Sequence, residues 1–445
     1  MKRNILTTML VLGLAGSLVW GQNKSGTISS NQTWSGIINI VGNVVIQNAV
    51  VTIQPGTQVR FSTYPADITL AIKSGGAIKA IGTASSKILF TTSSTSKTPG
   101  RWGEIDIMEN INVSQTTFKY CIFECGQNAL DFRSTDHDRV KATSAITIEN
   151  CEIRTMERSG FYITAGGSPT IRNCVFHDLT SAGIFAHGGG TIKIYYTTIY
   201  NVSTGIINIG EPSWGWNQNM TVDHVTIHHV DGDLSNTDKW WTGFGIYCGG
   251  SEQWANLTLT NTIVSDVTYK SNPHDKSAGP IGLECGAGTV TNDYNCWYQA
   301  GYRDINKGDP GPHAVEANPL FNNPGAGDLS LKYGSPCLNK ASDGTHIGAW
   351  QGTAGIRENK VAAGLDREVQ VHSGNCQVTF YLPEGFDRLG IYSLDGQLVW
   401  MFDNSAGNEI TWQGLTGNGE KAAKGIYIYR AFSVGQTQQN TILLK

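Results

Sequence analysis

The sequence predicts an all-β chain, a three-sided parallel solenoid followed by a small β-sandwich, and three observations carry that expectation. A phrase of Asn or aromatic, then Cys or Thr, any residue and an apolar residue recurs through the middle of the chain. Each occurrence is followed by a second apolar strand that opens on Gly or another small residue. The composition agrees: 53 Gly among 445 residues, only 15% charged residues, and Thr, Ile, Val and Asn throughout. β-branched side chains suit pleated surfaces, and Gly supplies the positive φ that tight turns need.

The phrase reads Tyr120-Cys121-Ile122-Phe123, Asn150-Cys151-Glu152-Ile153 and Asn173-Cys174-Val175-Phe176. It continues as Tyr196-Thr197-Thr198-Ile199, His224-Val225-Thr226-Ile227 and Asn261-Thr262-Ile263-Val264. Positions 121, 151, 174, 197, 225 and 262 are separated by 30, 23, 23, 28 and 37 residues. A period near 23, lengthened by insertions, marks a solenoid. Second strands open at Ala129, Gly160, Gly183, Gly205, Gly245 and Gly282, and third strands run through Ala145–Ile148 and Pro169–Ile171. So short a strand cannot bury its apolar face alone, so each coil must stack on its neighbours. No 3.6-residue periodicity supports a helical repeat.

The ends of the chain read differently. Lys2 and Arg3 precede the apolar run Ile5 to Trp20, and Val19 and Gly21 suit cleavage before Gln22. Residues 1–21 therefore read as a signal peptide, with an uncleaved anchor as the alternative. The run is short for a membrane span, and no Cys follows it to carry a lipid. A net charge of −4 argues against a nucleic-acid partner. All nine Cys lie in the mature chain, an odd number for an oxidising compartment, and their spacing is unlike a zinc site. Residues 351–367 are polar and irregular, as a linker is. From 368 to 445 apolar and polar residues alternate around an Asp395-Gly396 turn, as in an antiparallel sandwich.

The repeat over roughly 27–350 resembles the right-handed parallel β-helix of the pectate-lyase-like superfamily. Val51-Thr52-Ile53-Gln54-Pro55-Gly56, Ala80-Ile81-Gly82-Thr83-Ala84 and Arg101-Trp102-Gly103 look like its opening coils. Asn318-Pro319-Leu320-Phe321, Gly334-Ser335-Pro336 and Asp343 to Ala349 look like its closing coil. The phrases Leu389 to Gly396, Ile410 to Gly414 and Gly425 to Arg430 resemble FlgD-like, immunoglobulin-like β-sandwich domains and type IX secretion sorting domains. The resemblance implies a β-helix over 22–350 and a sorting or anchoring sandwich over 368–445. It further implies bacterial outer-membrane secretion machinery as a partner, and a place outside the cell or on its surface, as in Bacteroidetes-like and Fibrobacter-like bacteria. A plain accessory sandwich is the alternative. A monomer is expected.

Period-2 alternation sends Leu130, Phe161, Ile184, Ile206, Ile246 and Leu283 inward, and Asp131, Tyr162, Phe185, Ile207, Tyr247 and Glu284 outward. Aromatic faces are platforms for sugar rings. Tyr162, Phe185 and Tyr247 are therefore read as the floor of a polysaccharide groove. Trp214, Trp216, Trp240, Trp241 and Trp254, in flanking insertions, are read as its walls. The alternative has these Trp residues folding back over the outward aromatics as packing.

Catalytic residues are not legible, because no tight motif of a pectate lyase, polygalacturonase or pectin esterase is present. His187, Lys193, Asp233, Lys239 and Glu252 qualify by location only. Asp131 and Glu284 are about five coils, roughly 24 Å, apart and cannot cooperate. No metal ligand set is assigned. Ca²⁺ is the one ion the sequence offers a place for, through alternating oxygens in Asp231-Gly232-Asp233-Leu234-Ser235-Asn236-Thr237-Asp238, with an ordinary acidic loop as the alternative. Three readings remain: a polysaccharide-binding β-helix, a polysaccharide lyase or glycoside hydrolase of the same fold, and a structural or adhesin spacer. Cys248 and Cys285, 37 residues apart, are expected to face each other inside the coil.

Overall fold

The computed structural model describes residues 21–64, 67–133, 145–164, 166–210, 217–232, 242–249, 255–268, 281–285, 288–303, 310–332, 334–349 and 370–444, the last less 375–376, 382–385, 394–396, 404–408, 418 and 434–435. The signal peptide and the linker read from sequence lie outside these residues, apart from Gly21. Among the described residues there is no α-helix.

The first unit is a right-handed parallel β-helix. Its third strands form one ten-stranded parallel sheet that starts with Gln32–Trp34 and ends with Thr289–Asp293. First and second strands share an eighteen-stranded sheet, because in several coils they run on as single bent strands, among them Ile37–Gln47, Val175–His187 and Thr198–Ile209. The first strands stack in the expected register: Glu152 pairs with Val175, Val175 with Thr198, Thr198 with Thr226, and Thr226 with Ile263. Parallel neighbours lie about 4.8 Å apart.

Two left-handed corners per coil make this stacking continuous. Tyr120, Asn150, Asn173, Tyr196, His224, Asn261 and Tyr294 have φ between 49° and 56°. Five residues further on (125 − 120, and so for each coil) Cys125, Thr155, Asp178, Asn201, His229, Asp266 and Gln299 have φ between 50° and 67°. Non-Gly residues seldom adopt this conformation, and Asn and Asp do so most readily. Here it is compensated. The corner N–H groups of Asn150, Asn173, Tyr196 and His224 donate to the carbonyls of Arg172, Tyr195, Asp223 and Thr260 on the next coil.

The corners also explain why Cys and Thr exchange in the repeat. Cys151 Sγ donates to the Glu149 carbonyl and Cys174 Sγ to that of Arg172, both at 3.3 Å. Thr197 and Thr262 hydroxyls do the same to Tyr195 and Thr260 at 2.9 Å. A small donor that reaches back two residues satisfies the corner, and both residue types offer one. Cys248 and Cys285 pair in register and are buried, as expected.

The segment Asn339–Ala349 belongs to this unit and runs along the first corner row. Asn261 Oδ1 accepts from Ser342 N at 2.7 Å, His224 Nε2 lies 2.9 Å from Thr345 Oγ1, and Ala349 N donates to Thr226 Oγ1 at 2.9 Å. The second unit comprises Leu320–Leu338 and Trp350–Lys445. Its C-terminal part is a small immunoglobulin-like β-sandwich. Gln370–Gly374, Gln377–Tyr381 and Glu409–Trp412 form one antiparallel sheet. Leu398–Asp403, Phe386–Tyr392, Gly425–Ser433 and Gln436–Leu444 form the other. Val378, Phe380, Leu389, Ile391, Trp412 and Tyr429 meet in its core.

The Gly that opens each second strand is required by the coil above it. A Cβ on Gly205 would sit 2.2 Å from the Gly245 carbonyl oxygen, and one on Gly245 would sit 2.4 Å from that of Gly282. Gly42, in contrast, would meet only the Ser25 Cβ at 3.4 Å. Gly205→Ala should therefore cost about 1–3 kcal/mol as overpacking, while Gly42→Ala stays within about 0.5 kcal/mol. Urea midpoints of the two variants check this, and equal midpoints would refute it.

Candidate functional site

The second strands carry the outward column in the order the alternation predicts. Cα partners run Asp131–Tyr162, Tyr162–Phe185, Phe185–Ile207, Ile207–Tyr247 and Tyr247–Glu284. The expected solvent-facing floor is largely covered, however. Phe185, Ile207 and Tyr247 are only 9%, 1% and 8% exposed. They cluster with Ala182, Phe244 and Ile281 outside the coil's own core. Burial of such side chains is favourable by about 1.5–3 kcal/mol each, which is the reason to cover them. It also pushes the Tyr247 hydroxyl up to about 12. Tyr162 is half-buried and stacks on Phe185 with ring centroids 4.8 Å apart. The wall residues Trp214, Trp216, Trp240, Trp241 and Trp254 lie outside the described residues, as does most of the Asp231 to Asp238 loop.

Beyond Tyr162 the column becomes acidic. Asp131 pairs with Asp106 on the preceding coil, and Asp106 with Ala71 before it. Glu104 lies two residues before Asp106, and Arg133 two residues after Asp131, so period-2 alternation turns all four outward on the same face. Carboxylate oxygens of Glu104, Asp106 and Asp131 lie within 4.8 Å of one another. All three residues are buried, at 9%, 6% and 7% exposure.

One guanidinium serves all three. Arg133 Nη2 bonds Glu104 Oε1, and lies 2.5 Å from Asp106 Oδ1 and 3.3 Å from Asp131 Oδ2. Asn128 Nδ2 donates to Glu104 Oε2 at 3.0 Å, and Asn128 Oδ1 accepts the Ser159 N–H. The Glu104 contact of Arg133 is aligned as a hydrogen bond. Among the described residues Asp131 Oδ1 and Arg133 Nε are buried without a hydrogen-bond partner. Fully ionised, the cluster would carry −3 + 1 = −2 charges out of water, which is costly. It sheds that charge by holding protons. Burial pushes Asp131 up to about 8 and Asp106 to about 7, against the pull of Arg133 and with Glu104 adding to the rise.

The arrangement has two chemical capacities. A carboxyl that keeps its proton near neutrality beside a second carboxylate can donate to a leaving oxygen. Carboxylate oxygens within 4.8 Å of one another fall on the short side of glycosidase spacings, nearer the roughly 5 Å of double displacement than the wider gap that inversion needs. Three carboxylates with free lone pairs could also hold an oxygen-preferring divalent cation such as Ca²⁺. No ligand set was assigned here from sequence. Of the residues singled out by location, Lys193 is exposed on the third-strand sheet and does not join this site. His187 pairs with Ile209 at the far end of its strand, and Asp233, Lys239 and Glu252 lie outside the described residues. Glu104 and Asp106 escaped sequence reasoning because the recurring phrase becomes regular only at 120. The alternation of Glu104-Ile105-Asp106-Ile107 against Leu130-Asp131-Phe132 was the available signal.

A sequence family described as "Right handed beta helix region" matches residues 107–293. Among solved structures, the PL6 family alginate lyase AlyGC, in a point-mutant form, matches with a TM-score of 0.32 and 12% identity. The match covers 78% of this chain and 57% of that one, so the chain spans less than two thirds of that lyase. No curated protein matches significantly.

The raised carboxyls have a signature in stability. Both folded values lie above the ordinary 3.8, so the folded state holds protons that the unfolded chain releases. Their stabilisation is complete below about pH 4 and is lost as pH rises through about 7 to 8. His228, which burial lowers to about 4, works oppositely, losing stability as pH falls below the ordinary 6.5. The difference between wild type and Asp131→Asn isolates the cluster: the variant should gain thermal stability relative to wild type as pH rises from 5 to 8. Parallel melting curves across that range would refute the shift.

Proposed function

We propose that the protein binds a polysaccharide across the second-strand face and hydrolyses a glycosidic bond at Glu104, Asp106 and Asp131. The observation that carries this reading is the cluster itself. Three buried carboxylates on two successive coils, sharing one guanidinium, are expensive to the fold and return nothing to its packing. Perturbed carboxyls of this kind concentrate at functional sites. Asp131 is the proton donor, Glu104 the carboxylate facing it, and Arg133 positions both. Tyr162, next in the column, offers its ring to the adjacent sugar, and the five Trp residues of the insertions are the proposed walls. The N-terminal export signal and the sorting-type sandwich read from the sequence suit an enzyme acting outside the cell.

A second reading is a structural solenoid, favoured by the covered cluster of Phe185, Ile207, Phe244 and Tyr247. The two readings separate in one experiment. The mature chain is incubated with a polysaccharide panel, and retention, new reducing ends and ultraviolet-absorbing unsaturated products are read together. Hydrolysis predicts reducing ends without unsaturation, and a loss of about 10²–10⁴-fold in Asp131→Asn. Tyr162→Ala should weaken retention with little change in melting temperature, whereas Tyr247→Ala should cost about 3–5 kcal/mol as a packed aromatic. Unsaturated products would replace hydrolysis by elimination. Neither retention nor products on any glycan would leave the solenoid reading.

A further inference from the structure

The first strands carry a second outward column on another face of the coil. Arg60 pairs with Thr91, and Glu124, Arg154, His177 and Tyr200 follow in register. In the middle of this column the charges are matched. Arg154 donates from Nε and Nη2 to Glu124 Oε2 at 3.0 and 2.7 Å, and from Nη1 to Glu152 Oε1 at 2.6 Å. His177 adds a contact to Glu152 at 3.4 Å.

At the N-terminal end they are not matched. A cavity of about 320 Å³ opens there, lined by Gln58, Arg60, Thr91, Ser94, Lys97 and Glu124 among others. Among the described residues the Arg60 guanidinium bonds only the side-chain oxygen of Gln58, at 3.1 and 2.5 Å. Among the described residues no carboxylate forms an ion pair with it. Lys97 Nζ is steadied at the same cavity by Thr91 Oγ1 and the Thr92 carbonyl, both at 2.9 Å. The acid in the lining is already committed. Glu124 Oε1 takes the Thr91 hydroxyl at 2.7 Å and lies 3.9 Å from Lys97, while Oε2 takes Arg154. What is left over is the Nη1/Nη2 end of a guanidinium, its Nε edge being taken by Gln58, and an ammonium facing an open space bordered by hydroxyls. A fork of this geometry suits a planar carboxylate held by two parallel bonds.

We propose that this cavity is a subsite for an acidic sugar, with a uronate carboxylate held between Arg60 and Lys97 and the ring hydroxyls met by Gln58, Thr91 and Ser94. It lies on the first-strand face and does not rest on the hydrolytic reading of the second-strand cluster. It would make the N-terminal coils a separate point of attachment to an anionic polysaccharide.

The test is a calorimetric titration of the mature chain with trisaccharides of galacturonate, glucuronate and mannuronate, their methyl esters, and a sulfated trisaccharide. At least one uronate should bind and its ester should not. Arg60→Gln and Lys97→Gln should each weaken that binding tenfold or more, and Arg60→Lys should lose less. Lys97 is exposed, so its variant keeps the test valid should Arg60→Gln melt early. Unchanged affinity in Lys97→Gln, equal binding of the esters, or no uronate binding would overturn the subsite. Tighter binding of the sulfated sugar would overturn its assignment to carboxylates.

Discussion

The hydrogen bond from each left-handed corner to the coil above it is the constraint on which the rest of the structure depends. A residue such as Asn173 or Tyr196 turns its N–H along the solenoid axis, where the carbonyl of the residue just before the next corner receives it. Once that contact recurs on every coil, the strands between corners have no freedom of register. Each side chain then sits directly over its counterpart one coil away. Cys, Thr and Val can exchange inside the corner because the fold asks only for a small buried group there, with the reach-back bond of Cys or Thr as an added closure.

Stacking in register has a consequence for chemistry. Like residues on successive coils are brought together whether or not they attract. Asp106 and Asp131 are 25 residues apart in sequence and directly paired in space. In a compact domain such a pair could drift apart, but here the ladder holds it. The repulsion is relieved through protonation and through Arg133 instead of movement. The solenoid thus preorganises a group of carboxyls that isolated loops would not keep within 4.8 Å.

Three stretches of the two outward columns show how one geometry serves different ends. Ile207 and Tyr247 join a covered apolar cluster, a local packing solution. Glu124, Arg154 and Glu152 form an ion lattice, in which Glu152 is lowered to about 2 despite its burial by hydrogen bonds from His177 and the charge of Arg154. The acidic column has neither apolar cover nor matched partners. A cost without a structural return is the physical reason for placing the bond-breaking step there.

Much of the fold was legible because a repeat states its own period. The positions of Cys121, Cys151, Cys174, Thr197, Val225 and Thr262 determined the first-strand register, and the Gly-led strands determined the outward order from Asp131 to Glu284. Alternation also said which side chains leave the coil. It did not say whether they reach water, because exposure depends on what lies over the sheet, and Phe185 and Tyr247 are covered. The corner conformation of Tyr120 or His224 was invisible too, since propensity alone disfavours it and only the neighbouring coil compensates. The acidic cluster waited on tertiary structure for a related reason: its members come from two coils, and the first of these lies upstream of the regular phrase. Sequence by itself determined a stack of coils and the composition of each column; only the stacking of one coil on the next decided which charges would meet.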